Sequence, residues 1–277
     1  MNAPNMNSLY ERYVDLLKRT LLNDFGAENG LRIAYLLYCM DTSQPYRLDE
    51  VINIHRYQAD KIKALREDPD GQHNYRERMF GFPYTMIGRA RLDSLQAMVE
   101  TVLLEKIPGD FLEAGVWRGG ASIFMRALLD LWGEPGRKVY VADSFQGLPP
   151  PQLDQDENLN FHLDPALSVG LDVVKGHFER FGLLDDRVEF MPGWFEDTLK
   201  ASEPCQLAIL RADGDLYKST MDILDNLYHR VAPGGFVIID DYGAIPACRQ
   251  AVEDFRRAHG IDRPIHTIDW TGAYWRA

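Results

Sequence analysis

The sequence is poor in the features that mark several whole classes of protein. Only three cysteines occur in 277 residues, Cys39, Cys205 and Cys248. Scattered and odd in number, they form neither a disulfide framework nor a paired zinc spacing, so they read as packing residues in a reducing, cytoplasmic setting. No apolar run approaches the ~20 residues that span a bilayer. Met1 to Ser8 lacks a basic region followed by an apolar core, so neither a membrane segment nor a signal peptide is expected. Positive charge is in deficit: 30 Lys plus Arg against 42 Asp plus Glu leave a formal charge of −12. Without a basic cluster, nucleic acid is not an expected partner. The histidines (His55, His73, His162, His177, His229, His259 and His266) show no metal-ligand spacing to one another or to cysteine. No G-x-S-x-G elbow and no G-x-G-x-x-G fingerprint is present, which excludes an elbow-type hydrolase and argues against a nicotinamide-dependent oxidoreductase.

What is present is ordinary globular composition, 45% apolar and 26% charged, with neither repeats nor low-complexity tracts. Leu9 to Leu22 carries Tyr10, Tyr13, Val14, Leu17 and Leu21 at helical spacing. Gly26 and Gly30 interrupt the stretch after it, Arg32 to Met40 is apolar and aromatic, and Ile62 to Arg78 is charged around the turn Asp68-Pro69-Asp70-Gly71. Residues 1–80 therefore read as an irregular helical appendage whose apolar surface needs covering, over a site or against a second subunit. Residues 81–277 form the main domain. Arg91 to Lys106 is an amphipathic helix stopped by Pro108-Gly109. Short apolar runs come next, at Asp110–Ala114, Lys138–Ala142, Val188–Met191, Leu207–Leu210 and Gly235–Ile239. Helical periods at Ser122–Leu131, Val169–Phe181, Trp194–Lys200, Ser219–Val231 and Ala247–Ala258 alternate with them. That order predicts a doubly wound α/β fold, a mostly parallel sheet with both faces covered. His266–Trp270 and Ala273–Arg276, around Thr271-Gly272, read as an antiparallel hairpin at its edge.

The chemistry gathers at the strand ends. The first strand runs into Glu113-Ala114-Gly115-Val116-Trp117-Arg118-Gly119-Gly120-Ala121-Ser122, where glycines let backbone approach a ligand and the next helix presents its N–H groups. This E-x-G-x-x-x-G-G spacing, with an acid at the strand end, suits a cofactor bearing an ammonium group better than a pyrophosphate. The second strand ends at Asp143, placed to accept from ribose hydroxyls. The fourth runs into Asp213-Gly214-Asp215 and the fifth into Asp240-Asp241. Four carboxylates at the ends of neighbouring strands repel one another, and a hard divalent cation relieves this. Oxygen-only ligands point to Mg²⁺, with Mn²⁺ or Ca²⁺ as alternatives, rather than zinc. Taken singly, each of these turns is also an ordinary cap; their coincidence carries the reading.

Glu113 to Gly120, Asp143-Ser144-Phe145-Gln146-Gly147-Leu148-Pro149, Gly193-Trp194-Phe195-Glu196-Asp197-Thr198-Leu199, Arg211 to Tyr217 and Ile239-Asp240-Asp241-Tyr242 together resemble the macrocin O-methyltransferase family over roughly residues 80–277. Thr85-Met86-Ile87-Gly88 resembles its cofactor-closing turn. The resemblance implies a Rossmann-like class I methyltransferase with a seven-stranded sheet, dependent on S-adenosylmethionine and Mg²⁺, usually dimeric, and acting on sugar hydroxyls of glycosylated natural products such as antibiotics. It implies that Glu113, Gly115, Gly119 and Ser122, with Thr85 and Met86, surround the methionine moiety. Asp143 and Ser144 hold the ribose, and Gly193 and Trp194 flank the adenine. Asp213, Asp240 and Asp241 match the metal ligands, and Asp215 the general base. The implied chemistry is a cation chelating two adjacent acceptor hydroxyls while Asp215 removes a proton. Ala212 departs from the family pattern, where a bulkier apolar residue is expected. Pro149 to Ser168 is where members differ, so the acceptor does not transfer. A metal-dependent catechol-type methyltransferase shares the same logic, and a binding protein that has lost catalysis is disfavoured by the intact carboxylates.

Overall fold

The computed structural model describes residues 6–68, 81–201 and 206–277. By its contacts the chain forms two compact units, Met1–Leu92 and Asp93–Ala277. The boundary expected at residue 80, most of the turn at 68–71, and Cys205 lie outside the described residues.

In the first unit, α1 (Met6–Leu21) is followed by α2 (Ala27–Asp41), the short helices α3 (Leu48–Ile52) and α4 (Ile54–Tyr57), and α5 (Ala59–Glu67). Gly30 does not interrupt α2; it is buried inside it, at a site where burial outweighs the ~1 kcal/mol that glycine costs a helix. Leu31, Ile54, Ile62 and Leu65 form a small core. Val14, Leu17 and Leu21 are the buried stripe of α1. The Leu21 carbonyl accepts from the Tyr84 N–H at 2.8 Å, so the segment after residue 80 is tied back to that helix. Helix α6 (Arg89–Leu104) runs on from this unit into the next.

The second unit is a seven-stranded sheet of order β3-β2-β1-β4-β5-β7-β6. Its strands are β1 (Asp110–Ala114), β2 (Val139–Asp143), β3 (Val188–Pro192), β4 (Leu207–Ala212), β5 (Val231–Ile239), β6 (His266–Thr267) and β7 (Ala273–Arg276). The first five pair in parallel, while β7 pairs antiparallel with both β5 and β6. The expected Rossmann-like sheet and its C-terminal hairpin are therefore present. Crossovers are made by α7 (Gly120–Leu131), α8 (Leu171–Arg180), α9 (Phe195–Ala201), α10 (Tyr217–Leu227) and α11 (Pro246–Ala258). Every residue of β4 is buried, as a central strand covered on both faces requires. Its core continues through Leu112, Val237, Ile223, Val252 and Trp275. β5 starts at Val231 rather than at Gly235, because the Pro233-Gly234-Gly235 stretch bulges out: Leu207 pairs with Val231, and Ile209 with Phe236. Among the described residues no helix is long and apolar enough to cross a membrane.

The register decides where the site falls. Ala114 pairs with both Ala142 and Ala212, and Ala212 pairs with Ile239. The residues immediately after them, Gly115, Asp143, Asp213 and Asp240, therefore stand at one level along the C-terminal edge, where open parallel sheets bind ligands.

Candidate active site

The turn after β1 is built on close backbone approach. The Gly115 N–H donates to the Ala142 carbonyl at 2.8 Å, and the Asp213 N–H donates to the Ala114 carbonyl at 2.8 Å. Gly115 has φ +87°, and a Cβ there would lie 1.8 Å from the Asp213 carbonyl oxygen. Gly119, at φ +84°, precedes the first turn of α7. Trp117 between them also adopts a positive φ, 48°, uncommon for a bulky side chain. Asp143 braces this turn: its Oδ2 accepts from the Val116 N–H at 2.8 Å and its Oδ1 from the Phe145 N–H at 2.7 Å. The Trp117 N–H and, at 3.5 Å, Ser144 Oγ also bear on this carboxylate, so its own turn uses much of its capacity of about four acceptor positions. Burial raises its pKa against those hydrogen bonds. Ser144 Oγ donates to the Gly147 carbonyl at 2.6 Å and accepts from the Gln146 N–H at 2.9 Å, which leaves it one acceptor position. The Gly193 N–H donates to the Asp143 carbonyl at 2.9 Å, which sets Gly193 and half-buried Trp194 beside Asp143.

Thr85 and Met86 belong to the first unit. There Thr85 is buried, with its Oγ1 accepting from the Ile87 N–H at 3.3 Å.

Under the glycine turn lies a buried ionic group that the sequence does not announce. Arg211, the fifth residue of β4, is 3% exposed. Its Nη1 donates to Glu113 Oε1 at 2.5 Å and to Asp213 Oδ2 at 2.9 Å, and its Nη2 donates to Asp240 Oδ1. One guanidinium thus holds carboxylates from the ends of three adjacent strands, a use to which its planar fork is suited. Glu113 also accepts from Ser122 Oγ. Burial pushes Glu113 up to about 7, against the opposing pull of Arg211 and Ser122. The available signal was period two: Arg211 and Asp213 share a face of the extended chain.

Asp213, Asp215 and Asp241 each offer a carboxylate oxygen within 4.8 Å of the others. Two oxygens bound to one Mg²⁺ at about 2.1 Å stand no more than about 4.2 Å apart, and Ca²⁺ permits somewhat more. The hard-oxygen donor set and this near convergence fit a divalent cation after a small closure. Asp240 is placed differently, with Oδ1 on Arg211 and its carbonyl accepting from Thr271 Oγ1 at 2.9 Å. Asp215 has φ +57°, a left-handed conformation that costs a non-glycine residue about 1–3 kcal/mol and is found preferentially at functional sites. Burial, then the charges of Asp213 and Asp240, hold its carboxyl well above the usual range. His162 lies in the loop after β2, its Nδ1 buried with no hydrogen-bond partner among the described residues. His177 is a structural histidine, with Nδ1 2.9 Å from the Arg118 carbonyl. Cys39 and Cys248 are buried, as expected of packing residues.

Comparison with known proteins shows the family. The chain is 55% identical over 197 residues to the 8-demethyl-8-(2,3-dimethoxy-α-L-rhamnosyl)-tetracenomycin-C 4'-O-methyltransferase of Streptomyces olivaceus, covering 70% of this chain and 75% of that one. It is 42% identical over 272 residues to the mycinamicin III 3''-O-methyltransferase of Micromonospora griseorubida, with 96% of each covered. The solved structure of the O-methyltransferase NovP matches with a TM-score of 0.76 at 35% identity, covering 96% of this chain and 98% of that one. With the family model for macrocin-O-methyltransferase (TylF) matching residues 10–277, the chain belongs to the macrocin O-methyltransferase family, a family of enzymes whose chemistry implies S-adenosylmethionine as methyl donor.

Proposed function

We propose that this protein methylates a sugar hydroxyl of a glycosylated natural product, with Mg²⁺ held at the acidic edge and Asp215 as general base. One observation carries the reading: the glycine turn and the acidic turn abut, Gly115 lying directly against the Asp213 carbonyl. A donor held on the first turn and an acceptor held at the second are thereby neighbours. The Streptomyces olivaceus relative is, by name, a 4'-O-methyltransferase of a rhamnosyl-bearing tetracenomycin, and the Micromonospora griseorubida relative a mycinamicin III 3''-O-methyltransferase, which supports a sugar acceptor over a catechol.

S-adenosylmethionine supplies an electrophilic methyl group when bound. Around it, Gly115 and Gly119 would let the backbone approach, Glu113, held from below by Arg211 and Ser122, would stand at the ammonium end, Asp143 would accept from ribose hydroxyls, and Trp194 would give a flat face for adenine. Mg²⁺ supplies Lewis acidity toward acceptor hydroxyls when bound; Asp213 and Asp241, with Asp240 beside them, would hold it. A sugar hydroxyl is a poor nucleophile at neutral pH. Asp215 stands two residues from Asp213, beside the place where the acceptor hydroxyl would be held, so its carboxylate is the candidate base. Asp215 would take the proton that the acceptor hydroxyl loses, and orientation of acceptor and donor by the two turns would supply much of the remaining rate.

The test uses the purified chain, S-adenosylmethionine, Mg²⁺ and 8-demethyl-8-(2,3-dimethoxy-α-L-rhamnosyl)-tetracenomycin C as probe acceptor, with catechol as the competing class. Mass spectrometry should show one methyl added to the rhamnoside and none to catechol. Methylation of catechol alone would overturn the sugar reading.

A further inference from the structure

Between β2 and α8 the chain leaves the sheet and passes through three short 3-10 turns, Asp154–Asp156, Phe161–Leu163 and Pro165–Leu167. The excursion closes on itself: a Cβ on Gly147 would stand 3.4 Å from the Cβ of Ser168. Loops this long are uncommon in a compact domain and, where ordered, are usually functional. Three hydrogen bonds that involve side chains fasten it at two separate places on the sheet edge.

The first fastening is Asp156, 0% exposed although its neighbours in the loop are open to solvent. Its Oδ1 accepts from the Tyr217 N–H at 2.6 Å and its Oδ2 from the Lys218 N–H at 3.1 Å. The first N–H groups of a helix have no partner within it, and Leu216, at the cap position of α10, provides no side-chain bond. Asp156 is therefore the cap of α10, supplied from 61 residues away. Both bonds are charge-assisted, and the carboxylate sits at the positive end of the helix dipole. The second fastening is the Ala166 carbonyl, which accepts from the Trp117 indole N–H at 2.8 Å. α10 begins two residues after Asp215, and Trp117 lies two residues after Gly115. The loop is thus strung from the glycine turn to the acidic turn, across the place where a donor and an acceptor would meet. His162 lies on the stretch between the two fastenings.

We propose that Asp156 is a positioning residue for the acceptor: by capping α10 it fixes the loop 148–168 as a wall of the acceptor pocket and sets that wall's distance from Asp215. This rests on the methyl-transfer reading for its kinetic arm, but the loop fastening itself does not.

The experiment compares full-length wild type, Asp156→Ala and Asp156→Asn, all with Mg²⁺ and S-adenosylhomocysteine. Hydrogen exchange read by mass spectrometry should quicken in Asp156→Ala at 150–168 and at the first amides of α10, with β1 and β4 unchanged. With the rhamnoside probe, KM for the acceptor should rise about tenfold or more, the size expected for losing charge-assisted hydrogen bonds. The dissociation constant of S-adenosylhomocysteine should stay at the wild-type value, and kcat should fall far less than the rise in KM. Asp156→Asn keeps one acceptor oxygen and should fall between; it decides the matter where the alanine variant does not fold. Wild-type exchange in the loop of a folded variant overturns the proposal. So does an acceptor KM that rises only in step with the S-adenosylhomocysteine dissociation constant. If wild type leaves the rhamnoside unmethylated, the functional reading fails, while the exchange measurement still decides whether Asp156 fixes the loop.

Discussion

The Asp213 carbonyl oxygen occupies the space that a Cβ on Gly115 would need, at 1.8 Å. The obstacle is backbone, held by the bond from the Asp213 N–H to Ala114, so it cannot swing aside as a side-chain tip would. Gly115→Ala also forces an L residue to φ +87°, at roughly 1–2 kcal/mol. The β1 and β4 turns must separate, and both sites lose their geometry together. The expected outcome is a lower melting temperature, loss of S-adenosylhomocysteine binding by calorimetry, and methyl transfer reduced to background. An alanine variant that binds S-adenosylhomocysteine normally would place the cofactor elsewhere.

Arg211 answers to three carboxylates, so its loss is felt three times. Arg211→Met removes the guanidinium bonded to Glu113, Asp213 and Asp240 and leaves buried charge uncompensated. Breaking a buried pair in this way costs about 3–5 kcal/mol. Melting curves should show that loss, and added Mg²⁺ should restore part of it, since a cation held by Asp213 and Asp241 relieves the same repulsion. Arg211→Met melting like wild type in chelator would show that the group carries little of the stability.

Glu113 gives the fold a pH dependence with a definite sign. Burial lifts its pKa from 4.5 to about 7, so the folded state holds a proton that the unfolded chain has already released. The resulting stabilisation is fully present below 4.5 and is lost as pH rises through about 7. Glu113→Gln mimics the protonated form at every pH. In chelator, the melting temperature of wild type minus that of Glu113→Gln should therefore fall between about pH 5 and about pH 8. A difference that grows with pH would mean that the Arg211 partnership, not burial, dominates Glu113.

Why some of this was readable in the sequence and some was not has a physical cause. The strands of the parallel sheet are short apolar runs, and each carboxylate at the edge comes directly after one, so Asp143, Asp213, Asp240 and Asp241 could be placed from the pattern alone. The start of β5 could not, because Val231-Ala232-Pro233-Gly234-Gly235 has turn chemistry and enters the sheet only by bulging. Gly30 misled for the same reason: local propensity spoke against a helix that packing supports. Arg211 and Asp156 were invisible as organisers. Their partners Glu113 and Tyr217 lie 98 and 61 residues away, and no local pattern encodes a contact that only the sheet order creates.

Helix α1 leaves Leu9, Tyr13 and Leu16 exposed at 46%, 50% and 51%, spaced so that they share one face. An apolar helix face of that kind is characteristic of an interaction surface, and the homodimer implied by the family resemblance is its expected occupant. Light scattering at micromolar concentration should give twice the chain mass of 31.7 kDa. Replacing Leu9, Tyr13 and Leu16 together by serine should shift the population toward monomer. A wild-type monomer would leave the face to another partner.

The four edge carboxylates should separate by what each one touches. Asp213 and Asp241 converge with Asp215, whereas Asp240 is outside that group; Asp213 and Asp240 each have one oxygen on Arg211. Asp213→Asn and Asp241→Asn each remove a charge from the cation's donor set, so both should weaken Mg²⁺ binding strongly and recover part of their rate in excess Mg²⁺. Asp240→Asn should lower Mg²⁺ affinity less, and it and Asp213→Asn should both lower the melting temperature more than Asp241→Asn does, because each takes a charged partner from Arg211 inside the protein. Asp215→Asn keeps its shape and an oxygen but can no longer take a proton. It should bind S-adenosylhomocysteine nearly as wild type does and lose some Mg²⁺ affinity, since its carboxylate converges with Asp213 and Asp241, but at saturating Mg²⁺ it should still lose about a hundred- to ten-thousand-fold in single-turnover rate, the usual worth of a general base. Metal titration, melting and single-turnover measurements on the four variants decide the assignment. Parent-like turnover by Asp215→Asn would move the base elsewhere, with His162 the next residue to test. A wild-type rate that survives chelation would make the carboxylates structural and remove the cation from the mechanism.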